Sequence, residues 1–506
     1  MGIITGCFLT LSILFCAFRL LVKSYRRGLR LPPGPTGIPI LGNILQVQAQ
    51  RDVPLWIEYS NWAQTYGDVF SFSVFGSRTV VLNSYKAITE LLEHRSHNYS
   101  DRPRQTMLVE LMRWNWMFSL MEYSDQWRLH RKTFHQSFHP RSLSEYHDIQ
   151  RRRTAQLVKK LLTSPNDFFQ HVRMHSGGII LEAIYGYCIQ DNNDPYVKLA
   201  DDLLLGAGEA GAYGAFLVDY IPMLRYVPAW FPGATFKAKA DLWARESDRL
   251  KDIPWVHLKQ SIEDGTAVPC FSTRNLEEFG ISRASNNNPE MEEVIKNCAA
   301  IAFIAGADTT VSVILTFILA MVLNPQVQVR AQKELDRVTG SSGFPDFADR
   351  ESLPYVNAVL AETLRWNPVT RITLPHRVVN DDVYEGYFIP AGSTILPNAW
   401  AVLHDESLYG PDPTNFNPDR FLKSDEKDLP PNPELIAFGF GRRSCPGRHF
   451  AVNTVWIAMT YLLTAFTMGK EVDEDGKEID PVVEYTDALS TRPLPFNCRF
   501  ISRSPA

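Results

Sequence analysis

Eleven residues near the carboxyl end restrict this chain more than any other stretch: Phe438-Gly439-Phe440-Gly441-Arg442-Arg443-Ser444-Cys445-Pro446-Gly447-Arg448. Three glycines let the backbone turn tightly and come close to a flat ligand. Pro446 suits the first position of a helix, and Ala451, Val455 and Ala458 continue a helical pattern toward Leu463. Cys445 is thereby predicted at a helix amino terminus, where free N–H groups and the dipole favour a thiolate. Arg443 stands two residues earlier, placed to neutralise a carboxylate on whatever the thiolate holds. The seven cysteines are scattered and odd in number, with neither the close pairs of a zinc site nor the even count of a disulfide framework; the six besides Cys445 stand alone. They read as small buried hydrophobes.

With 45% apolar and 21% charged residues among 506, the chain is neither disordered nor a multi-span membrane protein. A net charge of −5 argues against a general nucleic-acid binder. Gly2 to Phe18 is uncharged, and Leu20 to Val22 extend the apolar run past Arg19. That is about what a helix needs to cross a hydrocarbon core of roughly 30 Å. Arg19, Lys23, Arg26, Arg27 and Arg30 follow it, so residues 1–22 are expected to be a single membrane anchor with the bulk of the chain cytosolic. A cleaved secretory signal would carry its positive charge before the apolar core. Residues 23–37, basic and then Leu31-Pro32-Pro33-Gly34-Pro35, read as a stiff hinge. Residues 38–506 are expected to form the single folded body of the chain. The sequon Asn98-Tyr99-Ser100 would face the cytosol and stay bare.

The expected fold is mainly α with small β-sheets. Phe70–Phe75 and Thr79–Leu82 flank Gly76-Ser77 as a hairpin. A mainly helical region runs from about Tyr85 to Val338, broken at 191–195, Pro228 to Gly233 and Asn286 to Pro289. Short strands return around Tyr384 to Leu396, and an acidic surface hairpin spans Glu471 to Asp480. Met291 to Leu323 is one long apolar helix containing Ala305-Gly306-Ala307-Asp308-Thr309-Thr310. Gly306 and its flanking alanines would let a flat cofactor approach the backbone. An acid beside a hydroxyl is costly in an apolar helix unless each finds a partner.

The pattern Phe438-x-x-Gly441-x-Arg443-x-Cys445-x-Gly447 resembles the haem-binding loop of the cytochromes P-450, the haem-thiolate monooxygenases. The resemblance implies the P-450 fold and a haem b cofactor. Cys445 would be the axial thiolate ligand of the iron, Arg443 would meet a haem propionate and Phe438 would pack near the sulfur. Thiolate donation favours O–O cleavage. Glu-x-x-Arg occurs four times, and Glu110/Arg113, Glu246/Arg249 and Glu334/Arg337 read as ordinary pairs at adjacent helix turns. Glu362/Arg365, on a helix ending before Pro368, has the family's order. Phe416-Asn417-Pro418-Asp419-Arg420-Phe421 then resembles the meander whose arginine joins that pair.

By the same resemblance Thr309 holds dioxygen and its water, and Asp308 supplies protons. Trp127 and Arg131, from a Trp-x-x-x-Arg helix, bind propionates, and His376 reaches one as well. Arg128, Lys132, Arg442 and Arg448 are expected to form a basic face for an acidic electron donor. The family reading is a fungal-like microsomal monooxygenase, single-pass in the endoplasmic reticulum membrane. It would insert one atom of O2 into a hydrophobic small molecule: a terpenoid, polyketide, steroid or aromatic xenobiotic. NADPH electrons would arrive through a separate cytochrome reductase or cytochrome b5, and no nucleic acid is involved. The candidate pocket walls are Met107 to Phe118, Leu203 to Phe216, Ile301 to Ala305, Val369 to Leu374 and Asp487 to Leu489. The rivals are a haem-thiolate isomerase or dehydratase, and a non-catalytic haem or sterol binder. Neither needs Asp308 and Thr309.

Overall fold

Helices carry most of the chain, as its periodicity predicts. A computed structural model describes residues 30–49, 53–190, 194–210, 215–281, 288–340, 343–423, 428–488 and 490–503. The expected anchor, the start of the hinge and parts of two predicted breaks (191–193 and 286–287) lie outside the described residues, as do 211–214 and Leu489 of the expected pocket walls. Helices of eight or more residues are α1 (Leu55–Tyr66), α2 (Asp125–Phe138), α3 (His147–Thr163), α4 (Phe168–Tyr185), α5 (Pro195–Ala210), α6 (Thr235–Glu263), α7 (Phe271–Glu278), α8 (Pro289–Leu323), α9 (Pro325–Thr339), α10 (Pro354–Trp366) and α11 (Arg448–Ala465).

The expected hairpin forms between β1 (Val69–Val74) and β2 (Ser77–Leu82). β3 (His376–Arg377), β4 (Asp382–Tyr384), β5 (Tyr387–Ile389) and β6 (Thr394–Pro397) follow much later in the chain. A four-stranded sheet of order β1-β2-β6-β3 results, with β2 and β6 parallel. It fixes His376 opposite Ile395. The proline segment packs on this sheet: the Ser71 N–H donates to the Pro33 carbonyl at 2.7 Å. A Cβ on Gly34 would fall 1.9 Å from the Ser71 carbonyl oxygen, so only glycine permits that approach.

The longest helix, α8, is the centre of the molecule. Asn288 caps it by accepting the Met291 N–H, Pro289 occupies its first turn, and Glu290 complements the dipole there. It is apolar on every side, the pattern of a helix surrounded by others. Among the described residues it alone has the length and hydropathy to cross a membrane, yet 83% of its most apolar window is buried inside the fold. Helices α4, α2 and α11 pack around it.

The four Glu-x-x-Arg pairs separate by context. Glu362 and Arg365 are fully buried and joined by two bonds of 2.6 and 2.8 Å. Arg365 also donates to the Leu403 carbonyl, and the Asn417 N–H donates to Glu362 at 2.6 Å. Arg420 stands 3.7 Å from Glu362, an ion pair rather than a hydrogen bond, and donates to the Tyr409 and Asp412 carbonyls. Only Glu246/Arg249 is the simple surface pair expected of the other three. Glu110 bonds Arg104 and Arg225 while Arg113 bonds Asp248. Glu334 caps α10 through the Tyr355 and Val356 N–H groups. The sequon is closed to modification by packing: Asn98 is buried and exchanges two bonds with the Asn380 backbone.

Arg365→Ala leaves the Glu362 carboxylate buried with its main partner gone, a loss of about 3–5 kcal/mol. Urea unfolding of the variant, or its failure to accumulate as soluble protein, measures the effect.

Candidate active site

The cysteine loop is built by backbone constraints that side chains then exploit. Gly439 and Gly441 adopt positive φ, and a Cβ on Gly441 would lie 2.1 Å from the Leu92 carbonyl oxygen. The Cys445 N–H donates to the Phe438 carbonyl at 2.8 Å, closing the loop. Phe438 itself is half-buried against the core. The expected helix start is displaced: α11 begins at Arg448 with Gly447 before it, so Pro446 lies outside the helix. The thiol still receives the Gly447 N–H and the fields of Arg131 and Arg448, but burial outweighs them and raises its pKa. The helix terminus alone therefore does not produce the thiolate; a bound cation would. One side of Cys445 is nevertheless open to solvent.

Arg443 is buried and donates to the carbonyls of Ser100 at 2.6 Å, Met121 at 2.8 Å and Phe118 at 3.4 Å. Its guanidinium lies 4.4 Å over the ring of buried Trp127, and burial lowers its pKa to about 10. Ser124 caps α2 and so orients Trp127. One turn on, Arg131 donates to the Ser444 carbonyl at 2.6 Å, tying α2 to the cysteine loop. His376 donates from Nδ1 to the Tyr99 carbonyl at 2.7 Å, and burial holds its pKa well below the ordinary value. The neutral ring has then spent its only donor, so binding a carboxylate requires protonation at Nε2.

A residue absent from the sequence reading joins this group. Arg102 is 3% exposed and donates to the Ser119, Leu374 and Pro375 carbonyls. Burial and the neighbouring Arg443 push its pKa well down. The signal was slight: an arginine before Pro103, which holds it in extended backbone. Among the described residues, Arg102, Arg131 and Arg443 form no ion pair with a carboxylate. The nearby Asp101 is committed to Arg377 at 2.6 Å and to the Tyr123 N–H.

Asp308 and Thr309 stand on a different element. Ala305 is exposed and Thr309 half-exposed within the buried middle of α8, which marks the helix face open to a chamber. The Thr309 hydroxyl donates to the Ala305 carbonyl at 2.7 Å. Asp308 is buried and pairs with Arg492 at 3.2 Å, a partner 184 positions away. Gly306 has a different purpose from the one expected: a Cβ there would come within 2.8 Å of Ile180, so it permits close packing of α8 on α4. Of the expected basic face, Arg128 pairs with Asp125, Arg442 donates to the Tyr123 hydroxyl, Lys132 is exposed and Arg448 half-buried.

The family model described as Cytochrome P450 matches residues 32–498. A cytochrome P450 monooxygenase of Armillaria gallica is 42% identical over 490 residues, covering 95% of this chain and 93% of its own. This chain belongs to the cytochrome P450 family. Tryptamine 4-monooxygenase of Psilocybe cyanescens is 37% identical, with 97% of this chain and 96% of the relative covered. A zebra fish cytochrome P450 solved with abiraterone shares the fold at TM-score 0.70, with 22% identity, over 89% of this chain and all of its own. The P450 is thus an oxidoreductase whose cofactor is a haem iron held by a cysteine thiolate. The residues present fit that group: an open cysteine lies beside buried guanidinium groups that lack carboxylate partners, and haem brings a metal and two carboxylates.

Asp219, three residues beyond the expected wall that ends at Phe216, accepts the Met107 N–H at 2.9 Å and donates its own N–H to the Phe216 carbonyl at 3.0 Å. Burial raises its carboxyl to about 6, against bonds from the Met107 and Thr106 N–H groups. The folded chain therefore holds this proton more tightly than the unfolded one. The stability it brings is complete below about pH 4 and lost as pH rises through 6. Asp219→Asn is expected to stabilise the P450 by about 1–3 kcal/mol at pH 8 and to have little effect at pH 4, measured by denaturant unfolding at both values.

Proposed function

We propose that this P450 is a membrane-bound monooxygenase inserting one oxygen atom of O2 into a neutral hydrophobic small molecule such as a terpenoid, polyketide, steroid or aromatic compound. The observation that carries the reading is the open Cys445 beside a buried basic cluster, in a fold whose central helix presents Ala305 and Thr309 at an opening in its buried middle. Cys445 would hold the iron, and Arg443, Arg102 and Arg131 would answer the haem carboxylates, with Trp127 as a platform beneath Arg443. When bound, the haem supplies the activation of dioxygen.

The chain's own groups would then manage water and protons. Thr309, one helical residue from Asp308, offers a hydroxyl that can exchange its bond to Ala305 for one to a ligand or water. Asp308 is a carboxylate at the chamber edge whose attachment to Arg492, half-exposed, leads toward solvent. That arrangement suits proton delivery at Asp308 and positioning at Thr309. The apolar walls around Ile301 to Ala305 exclude bulk water and favour an uncharged substrate.

Electrons would come from NADPH through a separate reductase, or cytochrome b5, docking on the basic face near Lys132, Arg442 and Arg448. Residues 1–22 would anchor the enzyme in the endoplasmic reticulum, catalytic body in the cytosol. Exposed apolar side chains support a membrane-facing surface: Ile40 is 89% exposed and Trp230 81%, with Leu45, Met223 and Phe231 also exposed. The two chain segments adjoin through Phe75, which donates to Leu41 and lies 6.4 Å from Tyr220. An isomerase or dehydratase would have no use for the Asp308–Thr309 pair.

Thr309→Ala is expected to uncouple the reaction. NADPH consumption persists while product falls by about tenfold or more and hydrogen peroxide rises in compensation. Product and peroxide yields per NADPH, measured with a tightly bound substrate, decide it; unchanged coupling removes Thr309 from the mechanism.

A further inference from the structure

A second cavity lies between α2, the amino-terminal turns of α8, α6 and the segment 115–124. It is an open cleft of about 640 Å³ whose lining includes none of the cysteine loop's residues, with Met121, whose carbonyl accepts from Arg443, in its wall. Its lining carries the carboxylates of Glu122, Glu290 and Glu293 against one ammonium, Lys251, which pairs with Glu293 at 3.1 Å. Arg377 approaches Glu122 at 3.8 Å from outside the lining, and among the described residues Glu290 has no cationic partner, accepting only from Gln126 at 2.8 Å. Burial lowers the pKa of His130 at the cleft wall, so its ring adds no charge at neutral pH. The balance is negative. Among the described residues no group of acidic or histidine side chains converges as a metal site would, which favours an organic cation over a metal ion.

The cleft wall also contains an unmet hydrogen-bond acceptor. His130 donates from Nδ1 to the Gln126 carbonyl at 2.8 Å, which leaves Nε2 as an acceptor. Asn297 must therefore turn its amide NH2 toward that nitrogen, at 3.3 Å. This fixes the Asn297 Oδ1, in a side chain only 6% exposed and lining the cleft, as a buried acceptor without a partner. Such an atom calls for an N–H or O–H donor. Beside it, Trp116 has spent its indole N–H on Ser247 at 3.0 Å and has only its ring to offer. Negative charge, an orphan acceptor and an aromatic ring together describe the recognition of a protonated amine.

We propose that this cleft is a second ligand site, separate from the haem chamber, for a small aromatic or aliphatic monoammonium compound. The ammonium bonds Asn297 Oδ1 and is balanced by Glu290 and Glu293, while its apolar part lies against Trp116.

The test uses the haem-loaded full chain with the iron occupied by saturating 4-phenylimidazole, so that amine binding at the iron is blocked. Calorimetric titration at pH 7 compares 2-phenylethylamine, 2-phenylethanol and phenylacetate. The amine is expected to bind about tenfold or more tightly than the alcohol, and phenylacetate not measurably. The double variant Glu290→Gln/Glu293→Gln, with both changes at exposed positions, and separately Asn297→Leu should each weaken the amine about tenfold with the azole spectrum unchanged. Amine binding that vanishes once the iron is blocked overturns the site. So does equal binding of amine and alcohol, or amine affinity unaltered in the glutamine double variant. If Asn297→Leu does not fold, the double variant alone decides.

Discussion

Buried positive charge with no direct carboxylate partner among the described residues is the constraint around which this structure is organised. Arg102 and Arg443 are almost wholly enclosed, and Arg131 lies beside them, yet their hydrogen bonds go to backbone carbonyls. Carbonyl dipoles satisfy the donors, and the nearby carboxylate of Asp101 is shared with Arg377, so much of the charge is left unanswered. The cost is visible in the depressed pKa values of Arg102 and Arg443, each lowered first by burial. A haem held here would answer that charge with its two carboxylates and the Cys445 sulfur with its iron. Cofactor and fold are coupled through charge as much as through shape.

The same arginines join distant parts of the chain. Arg443 links the cysteine loop to Ser100 and Met121, Arg102 links segment 102 to Leu374 and Pro375, and Arg131 links α2 back to Ser444. Three segments that are remote in sequence are thereby drawn to one side of the cysteine. Elsewhere in the core, Glu362 and Arg365 organise the meander through Leu403, Asn415 and Asn417. The central helix α8 is mostly apolar and buried beyond its amino-terminal turns, with Ala305 exposed and Thr309 half-exposed at its middle.

What was legible in the sequence is what depends on local chemistry. The glycines of the cysteine loop, the capped apolar run of α8 and the hairpin at Gly76 each carry their own geometry within a few residues. Glu362/Arg365 was separable from three identical spacings by its order relative to Cys445. What depends on packing between remote elements was not legible. Gly306 reads as space for a cofactor until Ile180 is seen against it. Arg102 looks like any arginine before proline, and Asp308 shows no sign in sequence of its partner Arg492. The helix start was misplaced because proline suits several positions near a helix end, and here Gly447 takes the cap.

The most direct measurement is the difference spectrum of the dithionite-reduced protein with carbon monoxide, taken beside Cys445→Ala. A red-shifted, thiolate-type Soret band in the wild type, absent from the variant, is the predicted result. A folded wild type without that band, or a variant that keeps it, would contradict the assignment of Cys445 as the iron ligand and with it the reading of the buried arginines as the haem's counter-charges.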